Sequence, residues 1–170
     1  MTKLLGAVIA ALAFSSVNSA SAQTFVSNPG TYTFLGSGVR VQKGTGPILT
    51  CTMTIDITNT SGVLTADNPG LTGHFGFCDT VSFQDVPWPV SVTGGGGNGS
   101  TVTIGSAIDK AYARTTITPG DCHGTIPATV YLMGPSEDLV IDFGFAGSPP
   151  STMLEYFGGG DCKIDGTISW

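Results

Sequence analysis

The sequence predicts an all-β domain, an antiparallel β-sandwich with a closed barrel as the alternative, that holds two disulfides and follows a cleaved signal peptide. Three observations support this fold class. Short segments in which apolar and polar residues alternate recur along the chain, as in strands with one buried and one solvated face. The 25 glycines and 10 prolines supply closely spaced turns, and four cysteines are available for pairing. Because no amphipathic helix is apparent after the N-terminal segment, a sandwich or barrel of short strands is expected.

Residues 1–22 have the three parts of a secretory signal peptide. Lys3 precedes an apolar run over residues 4–14, and Ala20-Ser21-Ala22 offers the small residues that a signal peptidase accepts. The apolar run is too short to cross a bilayer, which takes about 20 residues. We therefore predict cleavage after Ala22 and a single domain over residues 23–170 that is not transmembrane once mature.

The charge of the predicted mature chain restricts its partners. The sequence holds 6 basic and 12 acidic residues, and loss of Lys3 leaves a net charge of 5 − 12 = −7. A negative net charge argues against nucleic acid or an anionic membrane as a partner. An acidic surface that is rich in threonine suits an exported protein.

The clearest strand covers residues 49–58, LTCTMTIDIT, in which every odd position is apolar and every even position is polar. This alternation predicts that Cys51 and Ile55 point into the core and that Thr54 points to solvent.

The remaining elements follow in chain order. Strands are predicted at 31–34, 38–42, 63–64, 71–77, 80–92, 101–104, 107–117, 125–133, 139–145 and 162–170. Turns are predicted at 59–62 and 67–70, and the glycine run at 94–100 predicts a loop. Pro87 and Pro89 argue against a central strand position for Trp88. The last strand is expected to bury Cys162, Ile164, Ile168 and Trp170, and to expose Lys163 and Asp165.

An even number of cysteines in an exported chain indicates disulfides, although sequence alone permits three connectivities. We favour Cys51 with Cys78 and Cys122 with Cys162, because each pair brackets a block of strands that can close locally. A zinc site is not expected, since the chain has no CxxC motif and only two distant histidines.

No catalytic constellation can be assembled from the sequence. His74 and His123 do not accompany a GxSxG nucleophile motif, and the spacing of Asp138, Asp142, Asp161 and Asp165 does not mark a glycosidase pair. Asp161 and Asp165 near a glycine run also lack the ligand spacing of a calcium loop. We therefore predict that the protein is not an enzyme and has no catalytic, cofactor or metal site.

Five short segments resemble motifs of the PraA/PraB-like family, whose members are exported protein activators of alkane oxidation in Gram-negative bacteria. The motifs are Thr50-Cys51-Thr52, Cys78, Val86-Pro87-Trp88, Cys122-His123-Gly124 and the segment CKIDGT at 162–167. Val86 stands where the family usually has leucine. The resemblance supports the favoured disulfide pairing. It implies a secreted, non-catalytic protein that assists growth on hydrophobic substrates, with the periplasm or cell surface as other locations.

Two functions remain open from the sequence. The first is an accessory protein that contacts a hydrophobic substrate or the cell surface through an apolar patch at Val86, Pro87, Trp88 and Pro89, with Tyr156 and Phe157 as further candidates. The alternative for Trp88 is a place in the core, which we weight more heavily because aromatic side chains are more often buried. The second function is a self-assembling structural or adhesive subunit of a surface or fibre, joined through edge strands.

Overall fold

The computed structural model describes residues 26, 28–94, 99–115, 122–133, 138–144, 155–156 and 162–170. The predicted signal peptide and its cleavage site lie outside the described residues, as do Phe157, Asp161 and the side chain of Tyr156. The division into a leader and one mature domain therefore stays a prediction.

The described chain forms thirteen strands. They are β1 (Gly30–Lys43), β2 (Leu49–Thr60), β3 (Val63–Thr72), β4 (Ser82–Gln84), β5 (Trp88–Gly94), β6 (Ser100–Ile104), β7 (Ala111–Arg114), β8 (Cys122–Gly124), β9 (Ile126–Met133), β10 (Asp138–Asp142), β11 (Glu155–Tyr156), β12 (Cys162–Asp165) and β13 (Thr167–Ser169). Two 3-10 turns, His74–Gly76 and Cys78–Thr80, are the helical elements in these ranges. Among the described residues, no helix has the length and apolarity needed to span a bilayer.

Eight of the strands close into an antiparallel barrel. The pairings run in the order β1, β2, β3, β5, β6, β9, β10 and β13, and β13 pairs with β1 again. Strand β12 pairs with the other half of β1, and β11 adds to β12. The predicted all-β, antiparallel class is confirmed. The closed ring of strands makes the domain a barrel, which was the alternative to the predicted sandwich.

Barrel closure depends on a long first strand and on two glycines. Strand β1 has 14 residues, which lets it pair with β2 along one edge and with β12 and β13 along the other. A Cβ atom at Gly36 would collide with the Thr167 carbonyl oxygen. Gly166 has a φ of +121°, and a Cβ there would lie 2.9 Å from Val39 Cα. The absence of side chains at these two positions therefore allows β1 and β13 to approach closely.

Strand β2 follows the predicted alternation. Cys51, Met53, Ile55 and Ile57 are buried, and the intervening residues from Thr52 to Thr58 are only half-buried. These side chains join one core with residues of the other barrel strands. The largest fully buried core residues include Phe34, Met53, Ile55, Ile57, Ile141 and Ile168.

The predicted turn at 67–70 is wrong, because strand β3 continues through it. Thr54 pairs with Gly70 and Asp56 pairs with Asp67, so two residues of β3 lie opposite one of β2. This is a β-bulge, in which the extra residue bends the strand. Asn68 adopts a φ of 45°, which asparagine tolerates, and its side chain donates to Asp56 Oδ2 at 2.9 Å.

Strands β4, β7 and β8 form a separate three-stranded sheet, here called the small sheet. Both disulfides tie segments outside the barrel to a barrel strand or its extension. Cys51 of β2 is bonded to Cys78, and Cys122 of β8 is bonded to Cys162 of β12, with Cα–Cα distances of 5.9 and 5.0 Å. The favoured pairing is therefore confirmed, and none of the four cysteines is free.

The C-terminal strand is only partly as predicted. Cys162, Ile164 and Ile168 are buried, but Trp170 is 58% exposed and packs edge-on against Tyr32. Asp165 was expected to be exposed and is buried instead. Its carboxylate accepts a hydrogen bond from the guanidinium group of Arg40 on β1, and this ion pair compensates the cost of burying the charge.

Candidate functional site

An apolar cavity of about 360 Å³ lies between the barrel and the small sheet. The barrel side is formed by Val41, Leu49, Met53, Leu71 and Ile164 from strands β1, β2, β3 and β12. Met53 and Leu71 are cross-strand partners and both are buried. Inward-facing residues such as Met53 and Leu71 therefore border an open space here, whereas elsewhere in the barrel such residues pack against one another. Its volume is in the range of small-molecule pockets, which run from about 300 to 1,000 Å³.

The opposite wall consists of Phe77, Val81, Phe83, Ala113 and the Cys122–Cys162 disulfide. Phe77 and Val81 precede the small sheet and Phe83, Ala113 and Cys122 belong to it, whereas Cys162 lies on β12. The wall keeps its position because both disulfides connect this part of the chain to β2 and β12.

Trp88 supports this wall from behind. Its ring contacts Phe83 edge-on with a centroid distance of 5.7 Å, and its Nε1–H donates to the Gln84 carbonyl oxygen at 2.9 Å. A buried indole requires such a partner for its N–H group. The side chain is 1% exposed, so Trp88 is a core residue next to the cavity.

Three basic residues border the cavity, although its lining is almost wholly apolar. Lys43, Arg114 and Lys163 are named here the basic rim. The Lys43 ammonium donates to the Thr115 carbonyl oxygen at 2.7 Å, which joins the end of β1 to the residue after β7. His74 also lines the cavity, and its Nδ1 accepts the Thr50 backbone N–H at 3.1 Å. That contact leaves the ring hydrogen of the neutral imidazole on Nε2.

A strained segment beside the cavity displays aromatic side chains. Residues 73–77, named here the aromatic loop, contain four consecutive positive φ angles at Gly73, His74, Phe75 and Gly76. Phe75 is 98% exposed, and Phe77 is exposed but lines the cavity. The His74 ring lies 5.9 Å from the ring of Phe75. A non-glycine residue in the left-handed region costs about 1–3 kcal/mol and is common at functional sites.

The sequence model of one family, described as alkane oxidation protein activator PraA/PraB-like, matches residues 1–170. The chain belongs to this family. No curated protein and no solved structure matches the chain. The resemblance drawn from the cysteine motifs and the VPW segment is thereby confirmed.

The predicted contact segment of this PraA/PraB-like protein is divided between surface and core. Val86 and Pro87 are exposed and joined by a cis peptide bond, and Trp88 is buried as described above. Trp88 and Pro89 are the first residues of β5 and pair with β3, whereas pairing with β6 begins at Val90. This position accommodates the proline, which has no N–H to donate. A hydrophobic contact at Val86 and Pro87 stays a prediction.

The two histidines of the PraA/PraB-like chain occupy different concavities. His74 lines the apolar cavity, and His123 lines a more open polar groove together with Asp85, Asp109 and Lys110. The described lining of the apolar cavity includes one histidine and no carboxylate, so it holds no histidine–carboxylate pair.

The four carboxylates considered from sequence do not form a pair in the described part of the chain. Asp165 bonds to Arg40, and Asp142 accepts the Gly144 backbone N–H at 2.7 Å. Asp138 begins β10, and Asp161 lies outside the described residues. No group of three His, Cys, Asp or Glu side chains that could hold a metal ion occurs where the structure is described.

Sequence reasoning did not identify the cavity or its basic rim. Lys43, Arg114 and Lys163 lie far apart in the chain and come together only through β1, β7 and β12. One signal was available, since Lys163 directly follows Cys162 in a chain with few basic residues. Phe75 was placed in an extended segment, although its neighbours Gly73 and Gly76 indicated a turn.

Proposed function

We propose that the protein is an exported, non-catalytic accessory protein that binds the aliphatic chain of a hydrophobic substrate in its apolar cavity. The observation that carries this proposal is the cavity itself, whose barrel wall is built from five aliphatic or thioether side chains. Membership of the alkane oxidation activator family supports a hydrophobic substrate class. The almost wholly apolar lining supports a binding role over a catalytic one.

The size of the cavity indicates how long a chain it accepts. The cavity of about 360 Å³ is of a size that takes a small molecule, which suits one aliphatic chain of limited length. Burial of each methylene contributes about 0.8 kcal/mol, which is about fourfold in affinity. Affinity should rise by this factor per carbon and reach a plateau when the cavity is full.

Export is supported by the two disulfides, which form and persist in oxidising compartments. We propose a location outside the cytoplasm of a Gram-negative bacterium, either extracellular, periplasmic or at the cell surface. The signal peptide predicted at residues 1–22 supports the same location.

Filling the cavity with a larger side chain should remove chain binding. Val81 lines the cavity and is half-buried, so Val81→Trp can place an indole in the open space without replacing a core residue. We expect binding of decane, measured by partition of labelled alkane into protein solution, to fall at least tenfold.

The matched control is Val63→Trp, because Val63 is the exposed first residue of β3 and does not line the cavity. Both variants should keep the melting temperature near that of the parent. If Val81→Trp binds decane as the parent does, the cavity is not the binding site.

The aromatic loop should mediate contact with a hydrocarbon surface. Phe75 is 98% exposed, so its replacement by serine leaves the core intact, but it removes an apolar group worth about 1.5–3 kcal/mol on transfer from water. We expect Phe75→Ser to weaken adsorption to hexadecane droplets by at least tenfold, measured by depletion of protein from the aqueous phase.

Ile108→Ser is the control, because Ile108 is 89% exposed but lines the polar groove and not the cavity. Equal losses for the two variants would mean that adsorption is non-specific and that the aromatic loop has no special role.

The alternative function, a self-assembling structural or adhesive subunit, requires accessible strand edges. Closure of the barrel leaves short edges in the described part of the chain, such as β11 with two residues and β4 and β8 with three each. These edge lengths favour the accessory function over the subunit.

A further inference from the structure

We propose that the mouth of the cavity docks on the surface of liquid hydrocarbon, so that an aliphatic chain passes from the apolar phase into the cavity without crossing water. The docking surface is formed by Pro47, Ile48, Phe75 and Phe77, named here the entry patch. This inference rests on the proposed function, because it assigns a partner surface and an entry route to the same cavity. The exposed aromatic side chains and the cavity are thereby parts of one uptake site.

Two chain segments lie side by side at the mouth of the cavity. One is residues 47–50, which lead into β2, and the other is the aromatic loop. Thr50 donates its backbone N–H to His74 Nδ1 at 3.1 Å, and the Cys51–Cys78 disulfide joins the residues that follow the two segments. These links hold the two segments next to each other.

Each segment contributes side chains both to the cavity lining and to the outer surface. Pro47 and Phe77 line the cavity and are also exposed, Phe77 at 46%. Ile48 and Phe75 lie outside the described lining and are 45% and 98% exposed. The apolar surface therefore continues from the exterior into the cavity at Pro47 and Phe77.

The exposure of the entry patch indicates a partner. Exposed apolar patches on soluble proteins mark sites that contact other apolar surfaces. Phe75 gains nothing from the protein interior at 98% exposure, and it is held at a φ of 56°, which is unfavourable for a bulky residue. Contact with an apolar phase would remove this side chain from water, since no described core residue does so.

The composition of the entry patch fits a phase without polar head groups. Phe, Ile and Pro side chains have no hydrogen-bonding group, whereas Trp and Tyr, which prefer bilayer interfaces, do not occur in residues 47–50 and 73–78. These segments also contain no Lys or Arg, and Asp79 follows directly. The net charge of −6 opposes an anionic membrane as well. Liquid hydrocarbon is therefore the partner that fits best.

Direct transfer gives the protein access to far more ligand than water does. Each methylene that moves from an apolar phase into water shifts the equilibrium unfavourably by about fourfold. Dissolved alkane is therefore scarce, and its concentration falls steeply with chain length. A cavity whose mouth lies against the droplet receives the chain from the phase in which it is concentrated.

The experiment measures how fast labelled decane enters the mature protein, either from a droplet suspension or from water that is saturated with decane and free of droplets. We expect the parent to load at least tenfold faster from droplets. The variant pair Ile48→Ser with Phe75→Ser should load from droplets at least fivefold more slowly than the parent. From saturated water this variant should match the parent in rate and final occupancy, which shows that its cavity is intact.

The control pair is Val63→Ser with Ile108→Ser, which removes two exposed apolar side chains outside the cavity lining and should load from droplets as the parent does. If the entry-patch variant also loads from droplets at the parent rate, the entry route is wrong and the proposed function stands. If decane enters the parent from neither source, both fail.

The choice of partner is tested by cosedimentation of the parent with phosphatidylcholine and phosphatidylglycerol vesicles. We expect at least tenfold weaker adsorption to either vesicle than to decane droplets of equal surface area. Equal adsorption to vesicles and droplets would overturn liquid hydrocarbon as the partner and identify a lipid bilayer instead.

Discussion

Replacement of Ile55 by Asp is expected to lower the free energy of unfolding by more than about 4 kcal/mol, enough to unfold many domains. Ile55 is 0% exposed and lies on the inward face of β2, which pairs with β1 and β3. The variant would bury a carboxylate without a partner and also remove an aliphatic side chain from the core. Chemical denaturation followed by circular dichroism measures the change.

Thr54→Asp is the control, since it introduces the same carboxylate at the preceding residue of the same strand. Thr54 is half-buried and lies on the opposite face, so its replacement should cost no more than about 1 kcal/mol. Similar losses of stability in the two variants would show that the inward and outward faces of β2 are wrongly assigned.

Replacement of Trp88 by Ala should destabilise the protein almost as much as Ile55→Asp. We expect the free energy of unfolding to fall by about 3–5 kcal/mol, which is typical when a large aromatic side chain is removed from a core. Trp88 is 1% exposed, contacts Phe83 and donates a hydrogen bond to Gln84. Because Phe83 lines the cavity, the variant should also weaken chain binding. Thermal and denaturant unfolding, together with decane partition, measure both effects.

Trp170→Ala makes the same chemical change at a position that is 58% exposed. Loss of the Trp170 side chain should lower the free energy of unfolding by about 1 kcal/mol, mainly because the edge-on contact with Tyr32 is removed. If Trp88→Ala were as mild as Trp170→Ala and abolished only adsorption to hydrocarbon droplets, Trp88 would be a displayed contact residue and not part of the core.

The local features of the fold could be predicted from the sequence because they depend on neighbouring residues. The alternation at 49–58 identified the buried face of β2, and local closure of each cysteine pair identified both disulfides. The family was also recognisable, since its motifs contain the cysteines and the glycines that the fold requires.

Features that depend on contacts between distant strands were not predictable in this way. Alternation of apolar and polar residues is expected in both a sandwich and a barrel. Closure of the barrel depends on contacts between distant residues, such as Gly36 and Thr167. The sequence Asp67-Asn68-Pro69-Gly70 has the composition of a turn, but in the structure it pairs with β2 and forms a β-bulge within β3. Alternation predicted an exposed Asp165, and its buried ion pair could not be foreseen because the partner, Arg40, is 125 residues away in the chain.

The cavity depends most strongly on tertiary structure. It exists because the small sheet stands away from β1, β2 and β3 at one place, and no run of residues encodes that separation. Its basic rim likewise combines residues from three strands that are distant in the chain. Sequence patterns identify which side chains are apolar, but they do not indicate where packing leaves space.

The most direct test of chain binding in the cavity is a methyl NMR titration of the mature protein with decane. We predict that chemical-shift changes concentrate on Leu49, Met53, Leu71, Val81 and Ala113, which all line the cavity. Methyl groups in the distant barrel core, such as Ile57 and Ile104, should change little. Shift changes confined to Val86 and other exposed residues, with none at Met53 or Leu71, would contradict binding in the cavity.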